Sequence, residues 1–277
     1  MYLHASPAEY AKPITKNKLL HMKKLLFLVA AVVLLTASHP WKGKRVAYLG
    51  DSITDAKVLA DQTHYWGFLE EWLGTESYVY GISGQQWKHI LPQANKLQKE
   101  HGNEVDAIMI FMGTNDYNSG TPIGEWYTET TEIVNADGQM VERKLRHHVF
   151  DESTFRGRIN IALDSLKRMY PDKQIVMLTP IHRGYAKFSE KNVQPSEEYC
   201  NKCGEYIDAY VNSIKEASAI WSIPVIDIYS LSGIMPSKQE HSIYVPGKND
   251  FLHPNEEGHR RIAKCIYYQL QALPCDF

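Results

Sequence analysis

The stretch Arg45-Val-Ala-Tyr-Leu-Gly-Asp-Ser-Ile-Thr54 runs from an apolar segment straight into a Gly-Asp-Ser turn. A short apolar run closed by turn formers reads as a buried strand. In an open α/β sheet the chemistry gathers just beyond the carboxyl ends of the strands, and Ser52 is delivered there. The fold therefore depends on whether the rest of the chain supplies strands to match.

Tyr78-Val-Tyr80 is a second strand, broken by Gly81-Ile-Ser-Gly84. Val105 to Met112 is close to continuously apolar, as expected of a strand covered on both faces of a parallel sheet, and it ends in Gly113-Thr-Asn-Asp116. Gln174 to Leu178 and Pro224 to Ile228 are the fourth and fifth strands. Helical spacing fills the intervals at about 62–73, 86–99, 152–169 and 204–219. A last helix opens after Pro254, where Asn255 can cap and Glu256 and Glu257 suit the first turn. Alternating strands and helices predict an α/β fold of one domain, residues 39–277, with helices on both faces of a mostly parallel sheet.

Two segments interrupt the rhythm. Residues 117–150 are rich in Gly, Thr and Tyr, with Asp137-Gly138 as a hairpin-type turn, and 180–198 reads as a loop. Both follow strands, so both should frame the mouth of a site. Trp126, Tyr127, Arg183 and Tyr185 are the candidate substrate contacts they offer, although Trp126 could equally serve to pack its segment onto the domain.

The 277 residues are 44% hydrophobic and 22% charged, enough for one sizeable core. A formal net charge of −2 and the lack of a basic stripe speak against a nucleic-acid partner. Lys23-Lys24, the eleven apolar residues Leu25 to Leu35 and then Thr36-Ala-Ser38 have the layout of a secretory signal peptide. That run is shorter than the ~20 residues needed to span a bilayer, so no membrane span is expected after its removal. Residues 1–38 are thus read as an N-terminal extension plus signal, with Met1 or Met22 as the start. The protein is expected to be exported, either periplasmic or secreted. Export makes disulfides relevant for Cys200, Cys203, Cys265 and Cys275. Their spacing suits a zinc site poorly, and bridges or buried thiols are the expectation.

Far downstream, Asp250-Phe-Leu-His-Pro254 places a carboxylate and an imidazole three residues apart. A serine hydroxyl is a weak nucleophile and needs a base, and that base needs a group to fix its tautomer. His253 and Asp250 can fill those roles for Ser52. Acyl transfer also needs donors for the developing oxyanion, and the N–H groups of Ser52 and Gly84 with the Asn115 amide can supply three. No G-x-S-x-G elbow is present, because Gly81-Ile-Ser-Gly84 lacks the last spacer. H-E-x-x-H, the P-loop and G-x-G-x-x-G are also missing.

Gly50-Asp-Ser52, Gly84, Gly113-Thr-Asn-Asp116 and Asp250-x-x-His253, in this order, resemble the four blocks of the SGNH hydrolases, the GDSL esterase/lipase family. The resemblance covers about Lys44 to Leu270. It departs where many members carry an asparagine before the second-block glycines and this chain has Tyr80-Gly81. The resemblance implies a flavodoxin-like, three-layer α/β/α fold with a parallel five-stranded sheet. It implies Ser52 as nucleophile, His253 as base, Asp250 as orienter, and Ser52, Gly84 and Asn115 as oxyanion hole, with Asp51 and Asp116 bracing their loops. No metal or organic cofactor is required. The expected activity is hydrolysis of an acyl ester, acetyl first, on a small molecule or a glycan. The alternatives are a lysophospholipase or thioesterase, or a non-catalytic glycan-binding protein of the same fold.

Overall fold

A computed structural model describes residues 23–24, 39–237 and 243–275. The chain divides into Met1–Pro40 and Trp41–Phe277, and the account below concerns the second unit. The signal-peptide and start-site readings lie outside the described residues. No described helix is long and apolar enough to cross a membrane.

In chain order the elements are β1 (Arg45–Gly50), α1 (Tyr65–Leu73), β2 (Glu76–Val79), a 3₁₀ turn (Trp87–His89), α2 (Ile90–His101) and β3 (Ala107–Phe111). Then come α3 (Thr114–Asn118), β4 (Tyr127–Ala136), β5 (Gln139–His148), α4 (Phe155–Met169) and β6 (Gln174–Leu178). The chain continues through β7 (Ala186–Ser189), β8 (Asn192–Gln194), α5 (Ile207–Trp221), β9 (Val225–Ile226), α6 (Ile228–Leu231) and α7 (Glu256–Leu270). The main sheet is parallel in the order β2-β1-β3-β6-β9. This is the flavodoxin-like order, whose switch point lies between β1 and β3.

Strand alternation builds the two outer layers. Ala47 and Leu49 of β1 join a cluster with Ile90, Ala94 and Leu97 of α2, Leu163 of α4 and Ile214 of α5. Val46 and Tyr48 face the other way, into Tyr65 and Leu69 of α1 and Ile262 and Ile266 of α7. Because side chains on a strand alternate sides, one apolar run feeds both cores, and the result is a three-layer α/β/α structure. The fifth strand is only two residues long. Asp227 cuts it short: its carboxylate accepts the Ser230 N–H at 3.1 Å and starts α6. Asn255 likewise caps α7 by accepting the Gly258 N–H at 3.0 Å.

The two interruptions have structure of their own. Residues 127–148 make a long antiparallel hairpin with ten pairs in register, closed by Asp137 (φ 52°) and Gly138 (φ 82°). Two successive positive φ values are what a two-residue hairpin turn of the right twist requires. Most of this hairpin is exposed on both faces. The stretch read as a loop at 180–198 holds the small hairpin β7–β8, which sequence periodicity did not show. All four cysteines are free thiols, so the bridges considered above are not formed. Burial pushes the Cys265 thiol up to about 11.

Candidate active site

Three strand-end loops and the segment before α7 meet around Ser52. The Gly50-Asp-Ser turn folds tightly on itself, and a Cβ at Gly50 would collide with Thr54 and come within 2.8 Å of the Phe111 carbonyl. Only glycine fits that crossing of β1 and β3. The buried Gln93 of α2 holds the turn from beneath, donating to the Gly50 carbonyl at 2.8 Å and accepting its N–H at 2.9 Å. Ile82 N–H donates to the Gly50 carbonyl at 3.1 Å, which ties the second loop to the first.

Asn115 opens the third loop. Its side-chain amide donates to the Gln85 carbonyl at 3.0 Å, and its own carbonyl accepts from Gln86 Nε2 at 3.0 Å. A primary amide has two N–H donors, so one is left over. Gly84 (φ +77°) faces open space: a built Cβ meets nothing within 4 Å. Among the described residues neither the Ser52 nor the Gly84 N–H has an acceptor within the chain.

Ser52, 4% exposed, points its hydroxyl at His253, with Oγ to Nε2 at 2.9 Å. On the far side of the ring, Nδ1 lies 2.9 Å from Asp250 Oδ2. The other Asp250 oxygen accepts the N–H groups of Leu252 and His253, both at 3.0 Å. Partial burial works to raise the Asp250 pKa, but the hydrogen bonds and charge of His253 outweigh it and hold the carboxyl below its ordinary range. A carboxylate only accepts, so Nδ1 carries the proton and Nε2 is free to accept from Ser52.

Two further carboxyls, Asp51 and Asp116, are almost wholly shut away from solvent. Burial pushes Asp51 up to about 7, against the Ile53 N–H and the positive fields of His253 and Arg183. Asp116 is pushed up to about 6 by burial, opposed by the N–H of Trp87 at 3.0 Å and by Arg158 at 2.8 Å. Asp116 thereby joins the second loop, α3 and α4. At the start of α1, His259 is buried against His64 with ring centroids 4.7 Å apart, and desolvation drops it to about 3.

The four candidate contacts separate. Arg183 is fully buried and donates to the Thr114 carbonyl and hydroxyl (3.2 and 3.1 Å) and to Gln194 (2.7 Å). It is therefore an internal strut between the third loop and β8, out of reach of a substrate. Trp126 is 8% exposed, with its indole N–H on Glu216 at 2.7 Å, so it packs the base of the long hairpin onto α5. Tyr127 lies under Arg146, 4.9 Å from its ring centre, at the root of the same hairpin. Tyr185 alone is openly exposed. Sequence reasoning missed Phe188, whose ring centroid is 5.2 Å from that of His253. It also missed Gln93, although a glutamine sharing a helical face with Ile90, Ala94 and Leu97 is a visible signal. Among the described residues no cluster of His, Cys, Asp or Glu could hold a metal ion.

The model of the GDSL-like Lipase/Acylhydrolase family matches residues 48–261, from β1 into the final helix. The chain belongs to that family. Membership makes it an ester hydrolase of the acylhydrolase type. Among solved structures, a protein from Lactobacillus plantarum is similar over 83% of this chain and 98% of its own, with 24% identity and a TM-score of 0.66. A possible lipase from Chitinophaga pinensis DSM 2588 matches over 83% and 99%, with 20% identity and a TM-score of 0.61. A member of the lipolytic protein G-D-S-L family from Veillonella parvula DSM 2008 matches over 83% and 100%, with 15% identity and a TM-score of 0.53. At these identities the likeness carries the fold alone. No curated protein matched the sequence.

Proposed function

We propose that this acylhydrolase is an exported serine esterase that works through a covalent acyl-enzyme on Ser52. The observation that carries the reading is the unbroken run of hydrogen bonds from Ser52 Oγ to His253 to Asp250, each link 2.9 Å. In this reading Ser52 Oγ attacks the ester carbonyl while His253 Nε2 takes its proton, and the carbonyl oxygen becomes an oxyanion. The N–H groups of Ser52 and Gly84 and the free amide hydrogen of Asn115 receive that charge. Collapse expels the alcohol, which takes the proton from His253. Water, deprotonated by the same imidazole, then releases the acid and frees Ser52.

A carbohydrate O-acetyl ester is the substrate class we favour. The signal-like segment at 23–38 supports export, and the exposed ring of Phe188, 5.2 Å from that of His253, suits a substrate that presents a sugar ring. Labelling with a fluorophosphonate, turnover of 4-nitrophenyl acetate, and loss of both in Ser52→Ala test the mechanism. Acetate release from acetylated oligosaccharides tests the substrate. A preference for long-chain over acetyl esters would move the assignment to a lysophospholipase or thioesterase. Failure of both labelling and turnover would leave only a glycan-binding role.

A further inference from the structure

We propose that Phe188 determines selectivity for the alcohol portion of the substrate; the inference rests on the serine-esterase reading above. The small hairpin is irregular at one place. Lys187 pairs with Val193 and Ser189 with Asn192, so Phe188 is an extra residue on β7 with no partner opposite. Such a bulge turns one side chain out of the regular alternation, a device found beside active sites. Here the re-aimed ring lands 5.2 Å from the imidazole of His253, tilted by 53°, and remains 43% exposed. A lone exposed phenylalanine is ordinary on a protein surface, so its position carries the argument.

The strand that bears it is fixed to the site. Lys187 N–H donates to the Asn249 carbonyl at 2.7 Å, Phe251 N–H to the Tyr185 carbonyl at 3.0 Å, and Ala186 bridges to Asp250. Arg183, three residues before β7, anchors β8 through Gln194. Phe188 is thus held against the segment that carries Asp250 and His253, with little freedom to swing away.

Mechanism then decides which half of the ester it meets. His253 must hand its proton to the leaving oxygen, so the alcohol has to lie within hydrogen-bond reach of Nε2. The carbonyl oxygen sits on the other side, toward Gly84 and Asn115. An alcohol of more than a few atoms therefore passes over Phe188, whereas the acyl chain leads away from it. A flat aromatic ring favours an alcohol that presents an apolar ring face, as the C–H side of a sugar does.

Two series of esters test this. In one the acyl group stays acetyl and the alcohol is ethyl, cyclohexyl or phenyl; in the other 4-nitrophenol stays and the acyl group is acetyl or butyryl. Phe188→Ala should lower kcat/KM for cyclohexyl and phenyl acetate about tenfold relative to ethyl acetate. The acetate-to-butyrate ratio should hold within about twofold, and Phe188→Tyr should restore the ring-alcohol preference. Active wild type with an unchanged alcohol ratio in Phe188→Ala overturns the proposal and leaves the esterase reading standing, as does a change in the acyl ratio alone. Wild type that cleaves no ester removes both.

Discussion

Gln93 grips both polar groups of the Gly50 peptide positions, its Oε1 2.9 Å from the N–H and its Nε2 2.8 Å from the carbonyl. One side chain on α2 thus fixes the height of the turn that carries Ser52. Gln93→Leu keeps the volume, strands the buried Gly50 N–H and leaves the Gly50 carbonyl only the Ile82 N–H. We expect a loss of about 1–3 kcal/mol in urea unfolding, together with a lower kcat. Unchanged stability would show that the turn is held by the remaining contacts alone.

Asp250→Asn separates architecture from proton chemistry. The amide oxygen can still accept the N–H groups of Leu252 and His253, so the loop should keep its shape and the melting temperature should move little. The amide nitrogen, however, faces Nδ1 with a donor and favours the tautomer that cannot take a proton from Ser52. We expect kcat to fall roughly 10³–10⁴-fold, measured on 4-nitrophenyl acetate. A drop of less than tenfold would remove Asp250 from the proton path.

The buried Asp51 makes a signed prediction about pH. Its pKa is raised to about 7 in the folded state, above the ordinary 3.8, so between those values the folded protein holds a proton that the unfolded chain has released. Stability from this group is therefore full below pH ~4 and declines as pH rises to ~7. Asp51→Asn keeps an acceptor for the Ile53 N–H and removes the titration. The variant should gain on wild type across that interval, by an amount on the order of 4 kcal/mol, and hold its lead above it. Melting curves at pH 4, 5.5, 7 and 8 check the slope, and parallel curves would refute it.

The exposed hairpin should be dispensable for folding. Replacing 129–146 by Asn-Gly, so that Thr128 and His147 flank a two-residue turn, retains the Trp126–Glu216 hydrogen bond and the Tyr127–His148 ring contact and removes Arg146 from over Tyr127. The shortened protein should melt within a few degrees of wild type and keep its turnover of 4-nitrophenyl acetate. A collapse in stability would mean that the hairpin braces the domain.

What the sequence revealed and what it concealed have separate physical causes. Apolar runs and turn formers mark parallel strands strongly, which is why Gln174–Leu178 matches β6 residue for residue. The blocks at Ser52, Gly84, Asn115 and Asp250–His253 sit at strand ends or a helix start, so topology alone brings them to one edge. Arg183 was misplaced because the burial of a charged side chain depends on partners elsewhere, here Thr114 and Gln194, that no local pattern announces. Phe188 stayed hidden for a similar reason. β7 and β8 are four and three residues long, too short for a period to emerge, and the bulge breaks what alternation they have.

Ser52 and His253 are 201 residues apart, one at the tip of the first strand and the other just ahead of the last helix. During synthesis, every strand of the main sheet leaves the ribosome before the imidazole does. On the acyl-enzyme reading proposed above, a nascent chain, or a fragment ending before Asp250, holds a serine with nothing to activate it. On that reading ester cleavage switches on only when the final segment docks, and a turnover assay counts complete molecules alone.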